Sequence, residues 1–480
     1  MTELRGFALE LFKSQLENAI GQENVITSEE RRKELSRDYT WLTHMWYERD
    51  QEMIIPYFVV RPGNTEEVSK VMKICNSYKV PVVPRGGGSG SAGGASTLHG
   101  GIVLDLTRMD KIIDIDEKSL VLTAEAGIFG NVLENVLNEK GLMLAHYPSS
   151  VDIATLGGYL AARGSGVMST KYGKAEDMVL SIEVVLPDGT IINTLPVPNH
   201  ACGPGLLQLF VGSEGTLGVI TKVSIRIDPL PEARVFRMFK FPDIHDGIEA
   251  GRQIMASRIK PAVMRLYDPG STDKSFNSTG VKLEGNHLVL MFDGYKEIAE
   301  IEAKKAYEIC IANKGEDLGE ELGKHWWDTR YVAYKPPVHP EFPLLYGTPE
   351  TVTTYDKIDA IYDAKKELVE TKYAKWNAKY TAHFSHWYPW GTMIYDRFYV
   401  EHPPEDPEEA FRLHNELMAD CTRINLDHGA VLNEHHGIGF KLGWFMEDQY
   451  EESFKVLLNI KKSLDEKGIM NPGKLGFGIW

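Results

Sequence analysis

The residues best suited to chemistry lie near the C-terminus, in Glu434-His-His-Gly-Ile-Gly439. Histidine titrates near neutrality, so His435 and His436 suit the base that takes an alcohol's O–H proton while a hydride leaves its carbon. Gly437 and Gly439 allow the backbone to approach a planar ring closely. Either could be the base; two surface histidines at a turn is the plainer reading. Tyr395 belongs to an alternating run in which Thr392 and Ile394 oppose Met393 and Tyr395. It suits a side chain that orients the substrate oxygen or shares its proton, and equally a core tyrosine. Arg265 is flanked by Met264 and Leu266, so strand alternation turns its guanidinium away from those apolar neighbours. There it meets either a substrate carboxylate or phosphate, or an Asp or Glu in a structural ion pair. Arg330, Lys335 and Arg397 are weaker anion-site candidates, and His325-Trp-Trp-Asp-Thr-Arg330 is expected to begin a loop over the site.

The elements that must position these residues begin with a strand–helix–strand unit. Ile54–Val60 reads as a strand. Asn64 reads as a helix N-cap with Glu67 in the capping-box position, and the helix runs to about Tyr78. Pro81–Pro84 reads as the second strand. A glycine loop follows, Arg85-Gly-Gly-Gly-Ser-Gly-Ser-Ala-Gly-Gly94, and no helical pattern comes after it. That excludes the Rossmann arrangement, in which the loop opens a helix. A glycine loop between two strands instead exposes backbone N–H groups to phosphate oxygens. Further strands are expected at 102–106, 120–124, 179–186, 190–193 and 218–227, with a helix at 131–140 and a turn at Pro187-Asp-Gly189. Two more glycine segments lie at Pro148–Gly158, continuing to Gly166 and Lys171-Tyr-Gly173, and at Gly212-Ser-Glu-Gly-Thr-Leu-Gly218. Beyond Pro229 glycine thins out, and long helices alternate with strands and aromatic segments to about residue 420. A helix at 450–467 and Asn471-Pro-Gly473 end the chain.

Composition narrows the class. The chain has 480 residues, 43% hydrophobic and 25% charged, with a net charge of −16. This is globular composition, long enough for two to four domains at roughly 100–200 residues each. So acidic a chain has no overall basic field for nucleic acid or an anionic membrane, so an anionic substrate needs a local cluster of cations. The four cysteines are isolated, which argues against thiolate-held zinc or an iron–sulfur cluster and for buried thiols in a reducing compartment. Neither a leader pattern nor a run of 18 apolar residues is seen, and the reading is cytoplasmic, with a peripheral place at a membrane left open.

Taken in order and spacing, the segments resemble the vanillyl-alcohol oxidase superfamily, with its FAD-binding domain of the PCMH type. The motifs are Pro84-Arg-Gly-Gly-Gly-Ser-Gly90, Thr155-Leu-Gly-Gly158, Lys171-Tyr-Gly173, Gly212–Gly218 and Asn471-Pro-Gly-Lys474. The resemblance covers most of the chain and implies an α+β fold. A two-subdomain FAD-binding domain carries a cap whose antiparallel sheet is covered by helices. The divisions expected are 1–50, an N-terminal helical segment; 51–229, the FAD-binding domain; 230–420, the cap; and 421–480, a segment returning to the flavin site. The resemblance puts the pyrophosphate on the loop of Pro84, Arg85, Gly86, Gly87, Gly88, Ser89, Gly90 and Ser91. Flavin and ribose fall near Pro148, Ser149, Ser150, Thr155, Gly157, Gly158, Ser165 and Gly166. Tyr172, Gly173, Glu214, Gly215 and Gly218 complete the cofactor set, with Ile220 near the adenine. Members that attach FAD covalently carry a histidine where this chain has Ser89, so the FAD is expected to be noncovalent.

Within the superfamily two branches are similar. Glu434-His-His-Gly437 fits both: the D-lactate dehydrogenase and glycolate oxidase flavin-subunit branch shows Glu-His-Gly there, and the second branch a run of histidines before Gly. The alkyldihydroxyacetonephosphate synthase branch is similar through Arg265-Leu266, Gly347–Asp356 and Tyr388–Tyr395. The first branch has a metal motif, His-x-x-x-Asp-Gly-Asn-x-His, of which only His386 is present, and no metal is expected. The first reading is oxidation of a D-2-hydroxy acid by hydride transfer to flavin N5. His436, His435, Tyr395 and Arg265 would act on an anionic substrate, and electrons would leave to a quinone, an electron-transfer flavoprotein or an iron–sulfur subunit. The second is a synthase-like transferase of ether-lipid synthesis, and the third an electron-transfer subunit. A homodimer is implied by resemblance alone.

Overall fold

The computed structural model describes residues 4–48, 54–332 and 345–478. Phe58–Val60, Ile102–Asp105 and Val82–Arg85 form a parallel sheet in that spatial order. The helix Thr65–Tyr78 packs on it through Val68, Val71, Met72 and Cys75. Asn64 caps this helix by accepting the Glu67 N–H at 2.9 Å, and Glu67 Oε2 accepts the Gly63 N–H at 2.7 Å. The N-terminal segment is not helical throughout. After the helix Gly6–Ile20, Val25–Ile26 pairs with Phe58–Val60 and makes a fourth strand. Phe12 and Leu16 of the helix bury in the same core, so this segment is part of the first subdomain.

The second subdomain is a five-stranded antiparallel sheet. Its order is Ile112–Asp116, Val121–Glu125, Val219–Arg226, Val179–Val185, Ile191–Asn193. Leu133 and Leu137 of the helix Gly130–Glu139, with Leu156 and Leu160 of the short helix Leu156–Ala161, fill its core.

The cap sheet runs, in spatial order, Glu316–Asp317, Ala233–Phe241, Asn286–Gly294, Val263–Tyr267, Ala378–Phe384, Gly391–Val400 and Leu345–Gly347. Thr351–Thr354 and Trp387–Tyr388 also pair with Gly391–Val400. All these pairs are antiparallel. The helices Ile244–Ala256, Lys296–Ala312, Tyr355–Lys372 and Pro407–Asp427 contribute Ile254, Ala303, Ile361 and Leu417 to the core beneath it. Period-two alternation then divides the strands. Met264, Leu266, Phe384, Ile394 and Phe398 point into that core, while Val263 and Tyr267 join the core shared with the second subdomain. Arg265, His383, Tyr395 and Arg397 have the second parity and face the FAD-binding half.

The C-terminal segment closes back on the first sheet. Val82 N–H donates to the Ile469 carbonyl and Asn471 N–H to the Val82 carbonyl, each at 2.8 Å. The Lys461 ammonium donates to the carbonyls of Thr216 and Met470 at 2.8 Å and pairs with Asp465. Among the described residues no helix is long and apolar enough to cross a membrane.

Two buried histidines serve as packing groups. His414 stacks on Trp41 at 4.7 Å, and His146 packs on Tyr159 at 4.5 Å. Burial pushes each imidazole down to about 3. Each therefore stays neutral in the fold yet takes up a proton on unfolding below its ordinary 6.5. The unfolded chain binds more protons in that window, so stability falls as pH drops from about 6.5 towards 3, at about 1.4 kcal/mol per pH unit per histidine. Chemical unfolding as a function of pH measures this. His414→Gln should lessen the slope between about pH 6 and 5 by close to one proton's worth.

Candidate active site

The glycine segments meet where side chains have no room. A Cβ at Gly87 would lie 1.4 Å from the Ile153 carbonyl oxygen, and one at Gly86 would lie 2.1 Å from Thr155 Oγ1. Two cavities open along this seam. One of about 150 Å³ is lined by Pro84, Arg85, Gly86, Gly87, Gly88, Thr155, Gly157, Glu214, Gly215, Gly218 and Ile220. The other, about 260 Å³, is lined by Ser91, Pro148, Ser149, Ser150, Ser165 and Gly166 and by all four catalytic candidates. Ser89, Gly90, Gly158 and His436 line both, so one cleft runs from Ile220 to the histidines. A backbone-walled cleft of this length suits a dinucleotide, because loop N–H groups can approach phosphate oxygens closely. Tyr172 and Gly173 line neither cavity. The Tyr172 hydroxyl donates to the Asp293 carboxylate at 3.0 Å, tying the second subdomain to the cap. Arg85 donates to the Arg37 carbonyl at 2.6 Å, so it braces the loop from beneath.

The cap wall is built by strand register. His383 stands opposite Tyr395 and Tyr267, and Arg397 stands opposite Thr381. Arg265 donates to His383 Nε2 at 2.8 Å, and the His383 and Tyr395 rings stack at 4.5 Å. Burial, with the Arg265 and Arg397 charges, holds His383 well below its ordinary value, so it is neutral and its Nε2 accepts. Arg397 donates to the Tyr395 hydroxyl at 2.7 Å and lines the cavity beside Arg265. Both guanidinium groups stand on the wall of the same cavity. The structure thus raises Arg397 to the rank of Arg265. Arg330 lies elsewhere, over the Trp327 ring at 3.8 Å, and Lys335 falls outside the described residues. His325-Trp-Trp-Asp-Thr belongs to the helix Glu321–Thr329 rather than a loop, with Trp326 and Trp327 buried.

Three carboxylates pin the histidine turn. Glu350, fully buried, accepts the N–H groups of Glu434, His435 and His436 at 3.3, 3.0 and 3.2 Å. Its Oε2 lies 2.7 Å from His436 Nδ1. Burial alone would raise this carboxyl, but His435 and His436 hold it down at about 2. It is therefore an anion at neutral pH and favours the His436 tautomer protonated at Nδ1. The opposite nitrogen, Nε2, is left to act on a substrate. Burial pushes His435 down to about 4, so it is a neutral hydrogen-bonding group. Glu434 is met by Tyr388 at 2.6 Å, His386 at 3.0 Å, Lys174 at 3.2 Å and Ser165 at 3.2 Å. Burial raises its carboxyl, yet His386 and Lys174 hold it well below the usual range. Glu214 accepts Ile438 and Gly439 N–H at 2.5 and 2.9 Å, so it anchors the turn to the cofactor domain. Gly439 has φ +53°, and a Cβ there would lie 1.9 Å from the Ala92 carbonyl oxygen.

Glu350 and Glu434 lie within the segments Gly347–Asp356 and Glu434–Gly439, and neither stands out there as a site residue. An acidic residue three positions beyond Gly347 carries no mark of its destination. The structure also gathers metal-suited atoms: His386, Glu434 and His435 form one group, and Glu350, His435 and His436 another, each within 4.8 Å. The Asp-Gly-Asn test on the sequence did not anticipate this. At the first group the Lys174 ammonium, 3.2 Å from Glu434, supplies a positive charge.

Behind Glu350, the buried Lys365 donates to the Pro349 carbonyl at 2.7 Å and pairs with Asp396 at 2.8 Å. It thus joins the Glu350 loop to the strand of Tyr395. Glu350→Gln should keep the fold and slow substrate-driven reduction by roughly 10–100-fold, the usual cost of losing a histidine's orienting carboxylate. The loss should fall on the rate of that step rather than on substrate affinity. An unchanged rate would make Glu350 a packing residue only.

Residues 56–195 match the family described as FAD binding domain, and residues 230–475 match FAD linked oxidases, C-terminal domain. The chain is 32% identical to an uncharacterized FAD-linked oxidoreductase of Escherichia coli over 88% of this chain and 89% of that one. It is 32% identical to a glycolate oxidase subunit of Bacillus subtilis over 62% of each. A solved alkyldihydroxyacetonephosphate synthase superposes with a TM-score of 0.82 at 25% identity, covering 98% of this chain and 87% of that one. With cleft, cap and both family matches in agreement, this chain belongs to the FAD-linked oxidases, has the α+β PCMH-type architecture and takes FAD as its cofactor.

Proposed function

We propose that the protein oxidises a D-2-hydroxy acid of the D-lactate or glycolate kind and passes the electrons to a separate acceptor. The observation that carries this reading is the make-up of the larger cavity. Among the described residues its wall holds three cationic side chains, Arg265, Arg397 and Lys441, and no aspartate or glutamate. A carboxylate substrate supplies the missing negative charge. Bound FAD supplies the hydride acceptor. The arginine pair, on one face of the cap sheet, holds the carboxylate and fixes which face of the hydroxyl-bearing carbon is presented. His436 Nε2 takes the hydroxyl proton, and Glu350 stabilises the imidazolium that results. His435 and Tyr395 orient the oxygen, and the cap excludes water. A cytoplasmic site of action and a homodimer belong to the same reading.

The structural likeness to the synthase favours a second reading, a transferase of ether-lipid synthesis without net oxidation. Anaerobic mixing with D-2-hydroxy acids distinguishes them. Loss of the visible flavin band supports the dehydrogenase; a panel that leaves it untouched favours the transferase. In the same assay His436→Asn should slow reduction roughly 10²–10⁴-fold, the span of a lost general base, with much less effect on affinity. Arg265→Met should instead act on kcat/KM through binding, by about 2–4 kcal/mol.

Ser89 lines the cleft and cannot form a histidyl bond to the flavin. Noncovalent FAD is therefore expected: acid precipitation should release the yellow colour to the supernatant, and colour retained on the pellet refutes it.

A further inference from the structure

Among the described residues, Lys441 is the one Lys or Arg lining the larger cavity that the proposed mechanism does not use. It stands on the C-terminal segment, its N–H donating to the Ala92 carbonyl at 3.2 Å, and it lines the cavity with Tyr39 and Trp41. Among the described residues its ammonium has no hydrogen bond and no carboxylate within 4.0 Å. Burial pushes it down to about 8 even though Glu350 and Asp38 act to raise it. Neither carboxylate is available as a close partner. Glu350 is taken by three backbone N–H groups and His436. Asp38 accepts from Thr40 N–H, Ala95 N–H and the Ser96 hydroxyl. The phosphate cradle is elsewhere, because Lys441 does not line the cavity formed by Gly86, Gly87 and Gly88.

Its position relative to the arginines follows from a chain of contacts. Arg265 meets His383 at 2.8 Å, His383 stacks on Tyr395, and Tyr395 meets the His436 ring at 5.0 Å. His436 meets Glu350, and Lys441 lines the same cavity as His436, Tyr395 and both arginines. The arginine pair, the base and the lysine thus share one cavity wall. A substrate whose carboxylate is on the arginines and whose hydroxyl is at His436 therefore has, within the same cavity, an ammonium that its remaining chain can meet. An ammonium enclosed without a counter-ion is costly, and an arriving anion relieves that cost.

We propose that Lys441 forms a second anion subsite. The preferred substrate is then a 2-hydroxy acid with a second anionic group, carboxylate or phosphate, at its far end. This rests on the hydroxy-acid reading and deepens it. The test uses the holoenzyme in anaerobic stopped flow. D-Lactate and D-glycerate have one anionic group, D-2-hydroxyglutarate has two carboxylates, and 3-phospho-D-glycerate has a carboxylate and a phosphate. The doubly anionic acids should exceed the singly anionic ones in kcat/KM by about 10–100-fold, the size of a hydrogen bond to a charged group. Which of the two leads identifies the distal group. Lys441→Met should collapse that ratio towards one, and Lys441→Arg should retain it. A ratio near one in the parent enzyme, or a ratio that survives Lys441→Met, overturns the subsite. Affinities of propionate, glutarate and phosphoglycolate, read from flavin absorbance, give the same comparison without turnover. If no hydroxy acid reduces the flavin, the hydroxy-acid reading fails, and the affinity ratio still decides the subsite.

Discussion

Burying the Glu350 carboxylate would cost several kcal/mol if it were left uncompensated. Three consecutive backbone N–H groups and two imidazoles provide the compensation, and all belong to one turn. The turn therefore has one place to be. Displacing it would strand both the anion and its donors, and this makes the histidine pair a fixed part of a wall rather than a mobile loop. Glu214 repeats the device from the cofactor side and Glu434 from within the turn. The C-terminal segment is thereby bolted to cap and cofactor domain together, and the reacting groups sit where those two bodies meet.

Charge is arranged against the overall balance of the molecule. The chain carries a net charge of −16, yet among the described residues the wall of the larger cavity has cations and no carboxylate. The carboxylates that position the histidines lie one layer back, neutralised by N–H groups, His386 and Lys174. A substrate anion thus meets the arginines without meeting Glu350 or Glu434. Low local dielectric strengthens that preference and makes the net charge of the surface nearly irrelevant to it.

Several features could be read from the chain because they depend on neighbours in sequence. The Asn64–Glu67 cap, the strand and helix segments of the first half and the turn at Gly189 are local patterns, and the structure has them. Strand alternation was enough to turn Arg265 away from Met264 and Leu266, since period two is a backbone property. The order of the glycine segments was enough for the family, because each glycine stands where backbone passes too close for a Cβ, as at Gly87. Local pattern failed where a short strand depends on a partner, as Val25–Ile26 does on Phe58–Val60. It failed too where helix Glu321–Thr329 replaced an expected loop.

The sequence by itself determined which residue types were available and, by period two, which neighbours in a strand oppose one another. Tertiary structure decided which of them meet. Arg397 joined Arg265 because their strands flank Ala378–Phe384 in one sheet, and nothing in the spacing of 132 residues encodes that neighbour relation. Tyr172 ties the second subdomain to the cap because Asp293, more than a hundred residues away, accepts its hydroxyl. Glu350 reached His436 across 86 residues because Lys365 holds the Pro349 carbonyl and Asp396 at once. Long-range pairing of buried charge is set by packing, and it is packing that turned two histidines at a turn into an oriented base.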